Sequence, residues 1–474
     1  MITEKKFYTD ALEKYKDVFQ VVSRCADELG TRAFVIGGFV RDYFLGIDND
    51  DIDIVVEGSG IGFARVFAGK VGGELTVYEN FGTAMVHFGG MKVEFVGARK
   101  EHYERGSRKP YCENGTLHDD QLRRDFTINA MAFDLTKEHY GELVDPFDGI
   151  GDLEKGIIRT PIDPIQTFLD DSLRMLRCIR FRCKLTRPDK EFYIDQPTFE
   201  AIIKCKDEIK TLSGERITEE LNKIMSSPNA ALGIKMLDFA GLLEYILPEV
   251  AALHMPQDKG HKDIFDHTMR VLDNVAAISD NLYLRWAALL HDIGKEPTKA
   301  YKEGQGWTFF SHASVGSKMV EGVFKRLKMP LDDRMQYVTK LVDMHMRPTT
   351  LAEEGVTDSA IRRLLFDAGD AIDDLLILAK CDVTTKYDSK REKIYQNLLV
   401  IEKHIAEVEE KDALRNFKNP ITGDYIMETF GIGPCKTIAV LKDAVKEAIL
   451  DGVIANDFEE AEKFVKEKAK ELGL

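Results

Sequence analysis

Cysteine is scarce: seven in 474 residues, at 25, 112, 178, 183, 205, 381 and 435, with no Cys-x-x-Cys pair. That excludes a zinc ribbon and a disulfide scaffold, and it fits a reducing cytoplasm. No segment approaches 18 uncharged apolar residues, and the first twenty carry charges throughout, so neither a membrane span nor a targeting signal is expected. A Gly-x4-Gly-Lys-Ser/Thr string is missing, and Gly431-Ile432-Gly433 is too short for a dinucleotide fingerprint. Kinase and dehydrogenase chemistry lose support accordingly. Positive charge is also short, with 65 Lys and Arg against 81 Asp and Glu for a net charge of -16. Such a balance reports solubility more than the sign of any one groove. Apolar residues are plentiful at 44%, and the length suggests about three domains with ample core.

The densest chemistry lies near the start. Ala33 to Ile36 suits a short buried strand, and Gly37-Gly38 at its end lets backbone approach a triphosphate with no side chain between. A helix beginning there presents unpaired N–H groups to the phosphates, and Arg41 can add a charge-assisted hydrogen bond. Asp51 and Asp53 stand i, i+2 on a strand-like run, which aims both carboxylates at one face. Two acids on one face need a cation. Mg²⁺ takes carboxylate oxygens together with substrate phosphates, and a pair of such ions activates an attacking hydroxyl and stabilises leaving pyrophosphate. Either motif alone is ordinary; together they point to nucleotidyl transfer onto a ribose hydroxyl. Glu94, in the alternating Val93-Glu94-Phe95-Val96, is expected on a strand beside Asp51. It is either a third carboxylate or a residue that orients Arg99 or an active-site arginine.

Further along, Asp171 and Arg174 lie three apart on a helical pattern and share a face. A carboxylate beside a fork of donors matches cytosine and adenine, which set an amine beside a ring acceptor, and rejects uracil and guanine. Arg174, Arg177, Arg180, Arg182, Lys184 and Arg187 form a basic run that could follow an RNA backbone or be a solvated face. The C-terminal lysines are interleaved with acids and read as an ordinary exposed face. In the helical half, His267, His291-Asp292, His312, His345 and Asp382 each sit on or beside an apolar helical run. Imidazoles with a bridging carboxylate suit Mn²⁺, Fe²⁺, Co²⁺ or Ni²⁺. His267, His291, Asp292 and Asp382 make one metal site, and His312 and His345 permit a second. Lys295, about one turn beyond Asp292, could bind phosphate.

Gly37-Gly38-x-Val40-Arg41-Asp42 with Asp51-x-Asp53 resembles the first motif of the polymerase-beta-like tRNA nucleotidyltransferase and poly(A) polymerase family. Arg123-Arg124-Asp125 through Asn129, Asp145-Pro146-Phe147, Asp170-Asp171-Ser172-Leu173-Arg174 and Glu215-Arg216-Ile217 resemble the next four motifs, in order. The family usually has Glu where this chain has Asp170. The resemblance implies an α+β fold: a nucleotidyltransferase head of small mixed sheet and helices at 1–150, followed by a mostly helical neck and body at 151–255. It implies Asp51, Asp53 and Glu94 as catalytic residues and Gly37, Gly38, Arg41, Arg123, Arg124, Asp125, Asn129, Asp171, Arg174 and Arg177 as nucleotide contacts. CTP, ATP and tRNA are the implied partners, and C, C and A the added nucleotides. A polar stretch between Ala98 and Leu122 reads as a mobile loop, which in this family accompanies the switch from C to A. The histidine and aspartate set resembles the HD metal-dependent phosphohydrolases. It implies an HD domain at 256–400, before a helical tail at 401–474, and hydrolysis of a phosphoester such as a 2′,3′-cyclic phosphate at damaged RNA ends. A poly(A) polymerase, and an RNA-binding HD phosphodiesterase with an inactive head, are the alternatives.

Overall fold

The computed structural model describes residues 6–79, 82–102, 111–254, 263–304, 306–354, 357–385, 387–412 and 417–474. It divides into two compact units, Met1–Ile224 with Met236–Tyr245, and Met225–Lys235 with Ile246–Leu474.

The first unit is built on a seven-stranded sheet. Its strands are β1 (Ala33–Ile36), β2 (Ile52–Val56), β3 (Glu74–Tyr78), β4 (Thr83–Phe88), β5 (Met91–Gly97), β8 (Ala132–Asp134) and β9 (Leu143–Val144), in the order β3-β4-β5-β2-β1-β8-β9. The β-branched and aromatic residues of β1 and β2 are buried, which is what central strands select. Phe34, Ile36, Val55, Ala98, Leu117 and Ala132 form one cluster under the sheet. Helix Gly60–Val71 lays Phe63 and Phe67 against Phe95, with ring centroids 5.6 and 4.9 Å apart. Gly60 permits that contact, since a Cβ there would lie 2.5 Å from the Gly97 nitrogen.

β2 and β5 run parallel, and Asp53 stands opposite Glu94 in their register. The stretch after Ala98, expected as a loop, instead begins and ends as a two-stranded ribbon, β6 (Arg99–His102) with β7 (Tyr111–Asn114). Backbone pairing organises what side-chain periodicity did not announce. The part from Glu104 to Pro110 lies outside the described residues. Beyond the sheet the unit is mainly helical, with one short parallel pair, β10 (Ile157–Ile158) and β11 (Tyr193–Ile194).

Among the described residues the second unit is helical except for one hairpin, β12 (Ala300–Lys302) and β13 (Gly306–Thr308). Leu284 to Leu290 is buried at every position, so it is a central helix rather than a surface one. Its one charged member, Arg285, donates to the carbonyls of Met225, Ser227 and Ser279 at 2.8 to 2.9 Å. Buried charge survives there because carbonyl oxygens replace water.

Candidate active site and metal centre

Asp51 precedes β2 and is exposed, while Asp53 and Glu94 are half-buried on neighbouring strands. Burial, then the charge of Asp51, pushes the Asp53 carboxyl up to about 6, against the pull of Arg124. Glu94 is raised by burial and by Asp51, with Arg99 opposing. Asp51 raises both of its acidic neighbours, so the site is short of positive charge, and a divalent cation fits that donor set.

Beside them runs a chain of hydrogen bonds. Gly37 takes φ +83°, and a Cβ on it would lie 3.0 Å from Arg124 Nη1; only glycine allows the strand to turn into helix Gly38–Phe44 so close to that guanidinium. Arg41 is nearly fully buried. Its Nε donates to Asp42 Oδ1 and its Nη1 to Asn129 Oδ1, each at 2.7 Å. It is therefore an internal strut, a correction to its expected role as a phosphate hand. Asn129 Nδ2 donates to Asp125 Oδ1 at 3.0 Å, and Arg177 Nε and Nη2 both reach Asp125 Oδ2. Burial alone would raise Asp125, but Arg177 and Asn129 hold it below the usual carboxylate range.

Arg123 and Arg124 converge on Asp120, a fully buried carboxylate that the sequence motifs did not mark. Arg124 Nε lies 3.1 Å from Oδ2, and Arg123 Nε 3.0 Å from Oδ1. Asp171 is not on the helix with Arg174. It is extended, at φ -148° and ψ 104°, between helices Pro164–Asp170 and Leu173–Leu185. There it pairs with Arg216 at 3.2 Å, while Arg174 donates to the Thr167 and Arg123 carbonyls. The helix breaks between them, and the contact that joins the two residues is the Arg174 N–H donating to the Asp171 carbonyl at 3.1 Å. The basic run is spent inside the fold. Arg177 binds Asp125, Arg180 binds Glu220 at 2.5 Å, Arg182 faces Glu191, and Arg187 donates to the Leu45 carbonyl. With these four held by partners and only Lys184 of the run exposed, it forms neither a continuous RNA track nor a solvated face.

In the second unit all six expected ligands converge. His267 Nε2 lies 2.8 Å from Asp382 Oδ1 and 3.6 Å from Asp292 Oδ2, and His291 Nε2 lies 3.2 Å from Asp292 Oδ2. His312 and His345 approach the other oxygen of Asp292, at 3.5 and 3.9 Å. His267, His291 and Asp292 make one group of metal-ligand geometry, and Asp292, His312 and His345 a second. The Nδ1 atoms of His291, His312 and His345 donate to the carbonyls of Ala288, Phe309 and Val342. Each Nε2 therefore points inward; burial keeps His312 and His345 neutral with that nitrogen a lone pair, whereas against burial Asp292 and Asp382 push His291 up to about 10. The Nε2 atoms of His312 and His345 face each other at 3.3 Å with no proton to share, and buried His291 Nε2 and Asp292 Oδ1 have no aligned partner. A divalent cation would remove both conflicts, so the residues fit divalent metal, with Asp292 common to the two ligand groups. Lys295, expected as a phosphate binder, pairs with Asp292 at 2.6 Å while lining the cavity above.

Family models match in the same order as these features: Poly A polymerase head domain at residues 33–159, probable RNA and SrmB-binding site of polymerase A at 191–253, and HD domain at 264–385. A multifunctional CCA protein of Vibrio parahaemolyticus is 33% identical over 63% of this chain and 71% of its own length. The chain belongs to the tRNA nucleotidyltransferase and poly(A) polymerase family. Within that family, an A-adding tRNA nucleotidyltransferase of Deinococcus radiodurans is 29% identical over 93% of the chain and 96% of the relative. Another, from Geobacter sulfurreducens, is 32% identical over 72% of the chain, which spans only 35% of that relative. A CCA-adding enzyme structure in apo form shares the fold, with TM-score 0.66, 23% identity and 99% of each chain covered. The head of mixed sheet and the helical HD domain are thus the family's, as the motifs implied.

Proposed function

We propose that the chain transfers nucleotides from CTP and ATP to the 3′ end of tRNA, completing C, C and A. The observation that carries this is the pairing of Asp53 with Glu94 across β2 and β5, beside Asp51 and the Arg41-Asn129-Asp125-Arg177 chain. Asp51 and Asp53 would hold Mg²⁺, which supplies activation of the hydroxyl and neutralisation of pyrophosphate. The tRNA 3′ oxygen bonds the α-phosphorus, the bond from that phosphorus to the bridging oxygen breaks, and the hydroxyl proton passes to solvent. Asp171 and Arg174 read the incoming base, with Arg216 and the Thr167 and Arg123 carbonyls fixing their places. A second reading, addition of A alone, is favoured by the full-length similarity to an enzyme named A-adding.

Extension of a tRNA ending at its discriminator base, with each nucleotide singly and together, separates these readings. Two additions with CTP alone and a third with ATP support full CCA addition. Extension only of tRNA already ending in CC supports the second reading, and long adenosine tails on unrelated RNA would make the chain a poly(A) polymerase. For the HD centre we infer phosphoester hydrolysis, with Mn²⁺, Co²⁺ or Ni²⁺ as suited ions and a 2′,3′-cyclic phosphate as substrate. Water adds to phosphorus, one P–O bond breaks, and the released alkoxide takes the proton. No described helix is long and apolar enough to cross a membrane, and six cysteines among the described residues are free; both support a cytoplasmic setting.

A further inference from the structure

The HD centre opens into a cavity of about 610 Å³ whose lining includes His267, Asp382, Lys295, Phe309, Tyr387 and Lys390. Phe309 follows β13, and its carbonyl holds the Nδ1 proton of His312, so the β12-β13 hairpin ends at a metal ligand. The ladder pairs Tyr301 with Trp307, which puts both rings on one face, their centroids 5.3 Å apart and edge to face. Lys299 stands 4.5 Å from the Trp307 ring on that face, and Lys295 stands 5.9 Å from Phe309 at the cavity mouth. Lys302, the next residue on the strand, turns to the opposite face, 4.5 Å from the Phe310 ring. On the face of Trp307, Tyr301 is 66% exposed.

Rings and ammonium groups thus alternate from the hairpin to the metal centre, in a chain whose net charge is -16. The two acids of the segment lie aside, Glu296 in the first turn of helix Lys295–Thr298 and Glu303 at the hairpin turn. Exposed rings offer stacking to any base, and interleaved lysines answer a phosphate at each step. We propose that this face of the hairpin docks the single-stranded 3′ end of an RNA and leads its terminal phosphate into the HD centre. The proposal rests on the phosphohydrolase reading of that centre, and it adds that the substrate is a polynucleotide end rather than a free mononucleotide.

Tryptophan fluorescence gives a local readout, because the chain has two tryptophans and the other, Trp286, is fully buried. A short single-stranded RNA ending in a 2′,3′-cyclic phosphate is titrated into the full chain, and its hydrolysis with added Mn²⁺ is compared with that of the cyclic mononucleotide. Quenching is expected. Tyr301→Ala should weaken that binding and raise KM for the oligonucleotide about tenfold, with the mononucleotide's kcat/KM changed less than about twofold, whereas Phe310→Ala, on the opposite face, should change neither. Lack of quenching, or equal losses on both substrates, would overturn the proposal. Quenching that Tyr301→Ala weakens, with neither substrate hydrolysed, supports the docking face and removes the hydrolase reading instead.

Discussion

Asp120→Ala isolates the contribution of a carboxylate that never faces the nucleotide. Asp120 is fully buried, and both guanidiniums of the Arg123-Arg124 motif close on it. Removing one partner of a buried ion pair costs about 3–5 kcal/mol, because a desolvated charge is left unpaired. Arg123 and Arg124 are 22% and 20% exposed at the side chain and recover some water, which places the expected loss near the lower end, about 3 kcal/mol. For a unit of this size that lowers the melting temperature by about 6–12 °C. Burial alone would raise the Asp120 pKa, yet Arg124 and Arg123 hold it below the ordinary value. A carboxyl depressed in the fold contributes stability above its unfolded pKa and loses it as pH falls through the folded one. The wild-type advantage should therefore be complete at pH 7 and shrink in acid.

Asp119→Ala is the matched control. Asp119 caps the same helix Leu117–Leu122 through a capping box with Thr116, and losing a cap costs about 1 kcal/mol. Thermal melts of both variants across pH, with KM for CTP and ATP in single-nucleotide extension, make the comparison. KM should rise only for the Asp120 variant. Equal melting temperatures for the two variants, with wild-type KM in both, would refute the reasoning.

Asp53 gives a pH dependence of opposite sense. Its carboxyl, pushed up to about 6, lends the metal-free fold stability below about pH 4 that is lost as pH rises through 6. Asp53→Asn should flatten that slope in metal-free melts and abolish nucleotide transfer while tRNA binding persists. Arg174→Ala should relax selection of C and A over U and G before it stops turnover, read as misincorporation in extension assays. In the HD unit, Asp292→Ala should lower bound metal from two ions to none, whereas His312→Ala should spare one; elemental analysis of the purified variants counts them.

Much of the head was legible because its chemistry is local in sequence. Gly37-Gly38 and Asp51-x-Asp53 require a turn and a strand, and both formed where spacing put them. Glu94 was legible through alternation, since Val93 and Phe95 are buried on either side of it. The HD ligands were legible as residue types on apolar helices, but only packing showed Asp292 offering one oxygen to each ligand group. What was hidden is non-local. Asp120 looks like any helix-face acid until two arginines beyond its helix fold back on it. Asp171 was misplaced because an Asp-x-x-Arg spacing fits a helix, whereas the chain breaks there and pairs with Arg216, 45 positions later. The arginines of helix Leu173–Leu185 looked available to RNA because sequence does not show their partners Asp125, Glu220 and Glu191.

The three imidazoles tied by Nδ1 to the carbonyl three residues earlier carry a consequence for how the HD centre meets the cell's metal supply. Backbone, not metal, sets each ring's angle, and Gly294, where a Cβ would meet the His312 carbonyl at 2.1 Å, locks the segment after Asp292 to the helix bearing His312. A frame held by backbone hydrogen bonds and by the close packing at Gly294 is unlike a zinc finger, whose fold disappears with the metal. Stripping and reloading the centre is then exchange at a fixed socket, not refolding. The ion found in it will record which metals were abundant when the chain was made, and one purified protein can be refilled with several in turn.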